Sequence, residues 1–181
     1  SGMGATPYAG VGGTGVTFRV WSPYASSVSV RGDFNGWGTT PLVKEASDDL
    51  WSVDVPGARV GQQYQFYING SLWRRDPRGR RVTNSNGNSI IYDPAAFDWS
   101  GHSFTTPWRN DLVIYEMHVG TYNAEDWVPS SFDKVVERLD HVRDLGFSAI
   151  EVMPVNEFPA DKSWGYNPAD LFAIESALGG P

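Results

Sequence analysis

Aromatic side chains stand out in this sequence as potential ligand-binding groups. There are 8 Trp, 8 Tyr and 9 Phe among 181 residues, beside 20 Gly and 12 Pro. Flat aromatic rings pack against the CH faces of sugar rings, so this composition allows a carbohydrate site. A β domain with large core aromatics and many tight turns would have the same composition, and composition alone does not separate the two.

Groups that would support other chemistries are scarce. The chain has no cysteine, which excludes a disulfide scaffold, a thiolate zinc site and a cysteine nucleophile. Its 3 histidines are scattered, so we expect no metal site, and nothing in the sequence suggests a cofactor. The glycine-rich segment 10–15 precedes a strand instead of opening a helix. We therefore interpret it as a flexible turn and not as a phosphate loop.

The formal charge of −7 is unevenly distributed, with +2 on residues 1–110 and −9 on residues 111–181. This division suggests two units with different roles. The acidic second half argues against nucleic acid as a partner, because phosphates would be repelled. Pro77 and Gly79 interrupt the one basic cluster, which we interpret as a solvated loop. Its arginines are Arg74, Arg75, Arg78, Arg80 and Arg81.

The apolar runs of the sequence are too short to span a bilayer, so we expect no membrane partner. The N-terminus lacks a charged region followed by an apolar stretch, which is the pattern of a signal peptide. The sequence therefore predicts a cytoplasmic protein.

The first half predicts an antiparallel β-sandwich. Short runs of alternating apolar and polar residues are bounded by Gly, Pro or Asp, and no helical period lies among them. The Asn69-Gly70 pair is typical of a two-residue hairpin turn. The predicted strands are Val16–Trp21, Val28–Arg31, Trp51–Val55, Tyr64–Ile68 and Ile90–Tyr92.

The second half predicts a strand–helix–strand unit. Apolar runs at Leu112–Val119 and Ala149–Val155 are typical of buried parallel strands. Between them, apolar residues recur at helical spacing over Phe132–Leu145, after a capping-box-like Ser130-x-x-Asp133 and before Gly146. Such units build (β/α)8 barrels, which need about 250 residues. Two strands cannot close a barrel, so we expect the chain to be the front of a longer protein.

Several short sequence motifs resemble those of two known families. Gly32-Asp-Phe-Asn-Gly-Trp37 resembles the Gly-x-Phe-Asn-x-Trp signature of carbohydrate-binding module family 48, and Tyr64–Gly70 with Asp76-Pro77 continues the likeness. Val113–Thr121, Leu145–Val155 and Ser163–Pro168 are similar to the first strand, the second strand and the following loop of the glycoside hydrolase family 13 barrel. This is the α-amylase family, and module followed by barrel is a known order within it.

The resemblance implies a mainly β chain: an immunoglobulin-like antiparallel β-sandwich over residues 1–108, then the first β-α-β segment of a truncated (β/α)8 barrel over residues 109–181. It implies an α-1,4-glucan as partner, meaning glycogen, starch or maltooligosaccharides. Ser163–Pro168 and the Glu151–Pro159 stretch favour glycogen branching enzymes, which form α-1,6 branches by retaining transglycosylation. A maltooligosyltrehalose trehalohydrolase or an isoamylase-type hydrolase is the alternative, and a non-catalytic glycogen-binding module is the alternative from another class.

For the sandwich, the resemblance implies that Trp37 and Trp73 form a stacking platform and that Asn88 matches a hydrogen-bonding asparagine. Gln65 stands where glycogen-binding members carry a lysine, and Trp73 is displaced by one residue. We expect these residues to converge at one end of the sandwich. Either tryptophan could instead pack against protein.

For the barrel segment, the resemblance implies that Tyr166 lines the sugar subsite beside the scissile bond, with Trp164 and Asn167 as further candidates. This agrees with the rule that barrel active sites lie on loops after the strand C-termini.

No catalytic residue is assigned. Retaining glycosidases use two carboxylates about 5–5.5 Å apart, and the family carries them on later barrel strands. Glu151, Glu157 and Asp161 match none of the family's catalytic motifs. We therefore expect the 181-residue chain to be inactive by itself.

Overall fold

Two facing antiparallel sheets form the first part of the chain. The computed structural model describes residues 2–10, 13–46 and 49–181. The strands are β1 (Gly4–Gly10), β2 (Gly13–Trp21), β3 (Val28–Gly32), β4 (Thr40–Pro41), β5 (Val43–Lys44), β6 (Leu50–Pro56), β7 (Gln63–Ile68), β8 (Leu72–Arg74), β9 (Arg81–Val82) and β10 (Ser89–Ile90). One sheet has the order β1-β2-β6-β5; the other has the order β4-β3-β7-β10-β9, with β8 also paired to β7. The predicted immunoglobulin-like β-sandwich is confirmed.

Apolar side chains, which alternate with polar ones along the strands, fill the space between the sheets. Val16, Phe18 and Val20 are buried on β2, and they face buried side chains of β3 and β7. The ring centroid of Phe18 lies 5.0 Å from that of Tyr64 and 5.1 Å from that of Phe34. These aromatic side chains bury large apolar areas, which is the main stabilising contribution to such a core.

The hairpin predicted at Asn69-Gly70 is confirmed. Both residues have positive φ, 53° and 67°, as a type I′ turn requires. The N–H of Ser71 donates to the carbonyl of Ile68 across 3.2 Å. The turn reverses the chain from β7 into β8.

The first strand of the sandwich has no counterpart in the sequence prediction. β1 pairs with β2 from Gly4↔Arg19 to Gly10↔Gly13. The interpretation of segment 10–15 as a flexible turn falls partly on Val11 and Gly12, which lie outside the described residues. Gly13–Gly15 itself belongs to β2, so the segment joins two strands.

A buried polar cluster gives the Asp76-Pro77 motif a structural role. The hydroxyl of Tyr64 donates to Asp76 Oδ2 across 2.6 Å, and the N–H of Arg78 donates to Asp76 Oδ1 across 2.8 Å. The Asp76 N–H donates to Ser89 Oγ across 2.9 Å. Burial raises the pKa of Asp76, although the hydrogen bonds from Tyr64 and Arg78 act in the opposite direction. The cluster fastens the 76–78 loop to the core.

The second part contains the predicted parallel strand pair. Its elements are β11 (Ile114–Met117), α1 (Val119–Tyr122), α2 (Phe132–Val136), α3 (Leu139–Asp144) and β12 (Ala149–Val152). β11 and β12 pair in parallel, from Ile114↔Ala149 to Met117↔Val152.

The single helix predicted between the two strands is wrong in detail, because it is divided into α2 and α3. The helical hydrogen-bond pattern is interrupted at Arg138, whose ψ is 4°. The N-cap is Ser131, whose hydroxyl accepts from the Lys134 N–H, whereas Ser130 is buried and its N–H donates to Gly120. Gly146 follows α3 with φ 95°, as predicted. Within the described ranges, no helix is long and apolar enough to cross a membrane.

The prediction that both parallel strands are buried is wrong for this chain. Ile114, Ile150 and Val152 are 53%, 37% and 44% exposed. A sheet of two strands leaves both outer edges and much of its surface uncovered, whereas parallel strands are normally covered on both faces. The strand pair therefore presents an open apolar surface.

The arginine cluster is not only a solvated loop. Arg75 lies 3.1 Å from Asp170 in an ion pair, and the guanidinium carbon of Arg78 lies 4.5 Å from the ring centroid of Phe172. The Ile174 N–H also donates to the Arg80 carbonyl across 3.4 Å. The cluster thus connects the sandwich to the segment after β12.

Candidate functional site

The loop after β3 carries Trp37, and each residue of the Gly32–Trp37 word has a structural role. A Cβ on Gly32 would lie 2.4 Å from the Gln63 carbonyl oxygen, so only glycine fits there. Asn35 accepts from the Gly32 N–H at 3.0 Å and donates to Thr40 Oγ1 at 2.9 Å, which closes the loop on itself. Gly36 and Trp37 then adopt φ of 60° and 61°, and the Trp37 N–H donates to the Gly32 carbonyl across 2.8 Å, which closes the turn.

Asp33 fixes the Trp37 ring. The indole N–H donates to Asp33 Oδ1 across 3.0 Å, and Asp33 Oδ2 accepts the N–H of Gln63 at the start of β7 across 2.8 Å. A positive φ at a non-glycine residue costs about 1–2 kcal/mol, so these hydrogen bonds help to retain an unfavourable conformation. Trp37 is half-buried.

Trp73 lies beside Trp37, on β8. Tyr67 pairs with Trp73 across the β7–β8 hairpin, and their ring centroids are 4.9 Å apart. The Trp37 and Trp73 centroids are 6.3 Å apart, with ring planes inclined at 45°. Trp73 is 42% exposed. The three rings form an inclined aromatic surface, which we call the platform.

A row of polar side chains crosses the sheet next to the platform. Arg31 on β3 pairs directly with Gln65 on β7. Gln65 Nε2 donates to Asn88 Oδ1 across 2.7 Å, and Asn88 Nδ2 donates to Gln63 Oε1 across 2.8 Å. The amides therefore hold each other in place along the row.

The four predicted residues of the sandwich, Trp37, Gln65, Trp73 and Asn88, do come together. Gln65 lies on the outer face of the six-stranded sheet and the other three adjoin this face, whereas we expected all four at one end of the sandwich. Gln65 faces outward because outward residues alternate with buried ones along β7. Trp73 reaches this face through the β7–β8 hairpin, Trp37 through its contact with Trp73, and Asn88 through its hydrogen bonds to Gln63 and Gln65.

Arg31 and Tyr67 also belong to this face, and the sequence interpretation missed both. Each occupies an outward position in a strand whose alternation was recognised. That alternation was the signal that could have identified them.

The second predicted group, Trp164, Tyr166 and Asn167, lies in the loop after β12. Gly165 has φ 84°, and a Cβ there would lie 2.0 Å from the Pro154 carbonyl oxygen. Ser163 Oγ donates to Asn167 Oδ1 across 2.5 Å. Trp164 and Tyr166 are 62% and 69% exposed, so this loop presents two aromatic rings to solvent.

Trp164 also borders a cavity of about 390 Å³, together with His118, Trp127 and Phe158. The His118 and Trp164 ring centroids are 4.8 Å apart. His118 follows β11 by one residue instead of lying inside it, and its Nε2 is 3.0 Å from the Ser163 carbonyl. Tyr166 and Asn167 do not line the cavity, so the structure brings only part of this group together.

Glu157 and Glu175 are buried near these loops. Glu157 Oε2 accepts the Ser176 N–H at 2.8 Å, and Glu175 accepts the N–H groups of Phe158 at 2.9 Å and Ala177 at 2.8 Å. Burial raises the pKa of Glu157, the Ser176 N–H lowers it, and the charge of Glu175 raises it again. Both carboxylates thus accept hydrogen bonds from backbone N–H groups and fix the loops that carry them. Glu151 is exposed on β12, and Asp161 lies at the rim of the cavity.

Known proteins with similar sequences include a trehalohydrolase and a branching enzyme. A malto-oligosyltrehalose trehalohydrolase from Saccharolobus solfataricus is 33% identical over 92% of this chain and 28% of its own length. A 1,4-alpha-glucan branching enzyme from Xanthomonas oryzae pv. oryzae is 36% identical over 92% of this chain and 25% of its own length. The chain therefore spans about a quarter of the curated relatives that it matches.

The same architecture occurs in a solved structure. A Salmonella typhimurium protein described as an alpha amylase superposes on 98% of this chain and 29% of its own length, with a TM-score of 0.84 and 29% identity. The family model for carbohydrate-binding module 48, the isoamylase N-terminal domain, matches residues 2–96. This range includes the whole platform and the polar row, and it covers more than half of the chain. The chain therefore belongs to the carbohydrate-binding module 48 family.

Proposed function

We propose that this chain is the N-terminal part of an enzyme acting on α-1,4-glucans, and that the outer face of its six-stranded sheet binds the glucan. The observation that carries the proposal is the platform of Trp37, Tyr67 and Trp73 beside the amides of Gln65 and Asn88. Indole rings pack on the CH faces of glucose, and amides bond its hydroxyl groups. The platform is partly exposed, so a linear chain has access to it.

The expected affinity is low. Stacking contributes about 0.5–1.5 kcal/mol per aromatic face beyond the burial of area. A shallow, open site of this kind supports dissociation constants on the order of millimolar to high micromolar for a maltooligosaccharide. Such an affinity suits a module that holds a polymer near an active site, because many binding positions on one polymer compensate for weak individual contacts.

Within this proposal, residues 1–108 are the module and residues 109–181 begin a (β/α)8 barrel. The parallel pairing of β11 with β12 and the helices between them support it. Trp164, Tyr166 and Asn167 follow the second strand, at the side where barrel enzymes bind substrate. The catalytic carboxylates would lie on later strands, so the 181-residue chain should have no turnover.

The parent reaction that we propose is that of a glycogen branching enzyme. A segment of glucan is cleaved, is held on a carboxylate and is passed to a 6-hydroxyl of another chain, with retention at the anomeric carbon. The 36% identical branching enzyme supports this reaction. Glycogen or starch as the natural polymer and a cytoplasmic location are parts of the same proposal.

Hydrolysis is the second candidate, and the 33% identical trehalohydrolase favours it. An isoamylase-type activity belongs to the same class. A non-catalytic glycogen-binding protein is the candidate from another class. The parallel strand pair argues against it, because a binding module alone has no need of that unit.

One experiment tests branching against hydrolysis of α-1,4 bonds. The complete protein from the source gene is incubated with amylose, and both iodine absorbance and reducing ends are followed against a heat-inactivated control. A branching enzyme lowers the iodine absorbance without a matching increase in reducing ends. A hydrolase of α-1,4 bonds lowers the iodine absorbance and raises the reducing ends together, and an absence of any change would contradict the branching proposal.

A further inference from the structure

Arg31 lies on the outer face of β3, directly against the platform. Its guanidinium carbon is 4.0 Å from the ring centroid of Tyr67 and 5.0 Å from that of Trp73. Arginine stacks well on aromatic faces because its guanidinium is planar and weakly hydrated. The two rings therefore hold the charged group beside the surface on which we propose that a sugar stacks.

Arg31 has no polar partner within the described ranges. Its Nε atom is buried without a hydrogen bond, and no ion pair engages the side chain. This is unusual in a chain with a net charge of −7, where carboxylates are abundant. A buried donor that lacks an acceptor carries a free-energy cost.

The neighbouring amides are already partly engaged. Gln65 and Asn88 donate within the polar row, to Asn88 and Gln63 respectively. Arg31 pairs with Gln65 across the strands and is only partly buried. Among the described residues, its guanidinium N–H groups are therefore the unengaged donors at this end of the polar row. A guanidinium presents N–H groups in a rigid fork, which suits two neighbouring oxygen atoms.

We propose that Arg31 is a sugar-binding residue of this module, which donates hydrogen bonds to two adjacent hydroxyl oxygens of a glucosyl unit stacked on Trp73. This inference rests on the proposed function, since it needs an α-glucan on the platform. It assigns a cation on β3 to a site that was expected to contain only indoles and amides. Because the ligand is neutral, binding depends little on salt.

The test measures the affinity of the 181-residue chain for maltoheptaose by isothermal titration calorimetry, with and without added salt. Arg31→Met keeps an apolar stem against Tyr67 and Trp73 but removes every N–H donor. We expect its dissociation constant to be about tenfold higher, because hydrogen bonds to charged groups are the stronger ones. Arg31→Lys keeps one charged donor and should lie between the two. Arg19→Met is the matched control, because Arg19 lies on the outer face of the opposite sheet, where it pairs with Glu45.

Each outcome decides the inference. Wild-type affinity in Arg31→Met would overturn it while leaving the platform proposal intact. If Arg31→Met alters the near-ultraviolet circular dichroism of the free protein, Arg31→Lys decides: no recovery of affinity would mean that Arg31 only packs against the rings. A strong decrease of wild-type maltoheptaose affinity with added salt would contradict the inference, because Arg31 is expected to bind neutral hydroxyl groups. A wild-type chain that binds no maltoheptaose at all would refute the proposed glucan site itself.

Discussion

Asp33 should control whether the platform exists, because it connects Trp37 to β7. Its two carboxylate oxygens accept the Trp37 indole N–H at 3.0 Å and the Gln63 backbone N–H at 2.8 Å. Asp33→Ala removes both acceptors at once. The Gln63 N–H loses its partner, and Trp37 keeps only its backbone hydrogen bond to Gly32.

The cost of Asp33→Ala follows from these contacts. Hydrogen bonds to a charged group contribute about 1.5–3 kcal/mol when buried, but Asp33 is exposed, so about 1 kcal/mol each is the expected scale. The strain at Trp37, with φ 61°, is also on the order of 1 kcal/mol and is released when the ring is freed. The net loss of stability should therefore be about 1 kcal/mol, or about 2–4 °C in Tm for a chain of this size.

Binding should suffer more than stability. We expect Asp33→Ala to abolish most maltoheptaose binding in calorimetry, because Trp37 no longer rests 6.3 Å from Trp73. Asp54→Ala is the matched control, since Asp54 accepts a hydrogen bond from Thr17 on the outer face of the other sheet. Wild-type affinity in Asp33→Ala, with the expected loss of stability, would refute the reasoning that Asp33 preorganises the platform.

Three further predictions concern the rest of the chain. Tyr64→Phe should lower the free energy of unfolding by about 1.5–3 kcal/mol, because it removes a donor from buried Asp76; a denaturation curve equal to wild type would contradict this. Glu157→Gln should raise Tm at pH 8, because it removes a carboxylate whose pKa is raised by burial and by the charge of Glu175. The gain should vanish on acidification, because a glutamate with a raised pKa takes up its proton before an unfolded glutamate does; a gain that grows as the pH falls would contradict it. The open strand pair should make the chain self-associate, and Val152→Lys should reduce the association in analytical ultracentrifugation, whereas a wild-type chain that stays monomeric at high concentration would oppose the idea.

Local patterns were sufficient to predict most of the sandwich. Alternation identified β2, β3, β6 and β7, and the Asn69-Gly70 pair identified the hairpin, because both signals depend on neighbours in sequence. β1 could not be found in this way. Gly4–Gly10 has no apolar alternation, and its seven residues are held as a strand by pairing with β2.

In the second half too, local patterns predicted the elements but not the features that depend on distant contacts. The periodicity of residues 132–145 predicted helix, but the interruption at Arg138 depends on how α2 and α3 pack. The buried pair Glu157 and Glu175 had no local signal either, because the Ser176 N–H lies 19 residues from Glu157 and the Phe158 N–H lies 17 residues from Glu175. The strands predicted as buried are exposed, because burial needs partners that two strands do not supply.

The candidate site was predicted by residue type more than by geometry. The resemblance of the Gly32–Trp37 motif identified Trp37, which the structure places on the loop after β3 with φ 61°. The location on a sheet face required the pairing of β3 with β7 and of β7 with β8. Arg31 becomes notable only in the folded chain, where two rings lie against its guanidinium and no acceptor among the described residues meets its Nε.

The central claim, that the platform binds α-glucan, is tested most directly by tryptophan fluorescence. Maltoheptaose is titrated into the wild-type chain, Trp37→Ala and Trp73→Ala, with Trp21→Ala as a control for an exposed tryptophan on the opposite sheet. The account predicts weak, saturable quenching in the wild type and in Trp21→Ala, with dissociation constants on the order of millimolar to high micromolar. It predicts that Trp37→Ala and Trp73→Ala each remove the change. Quenching that survives both substitutions would contradict the claim.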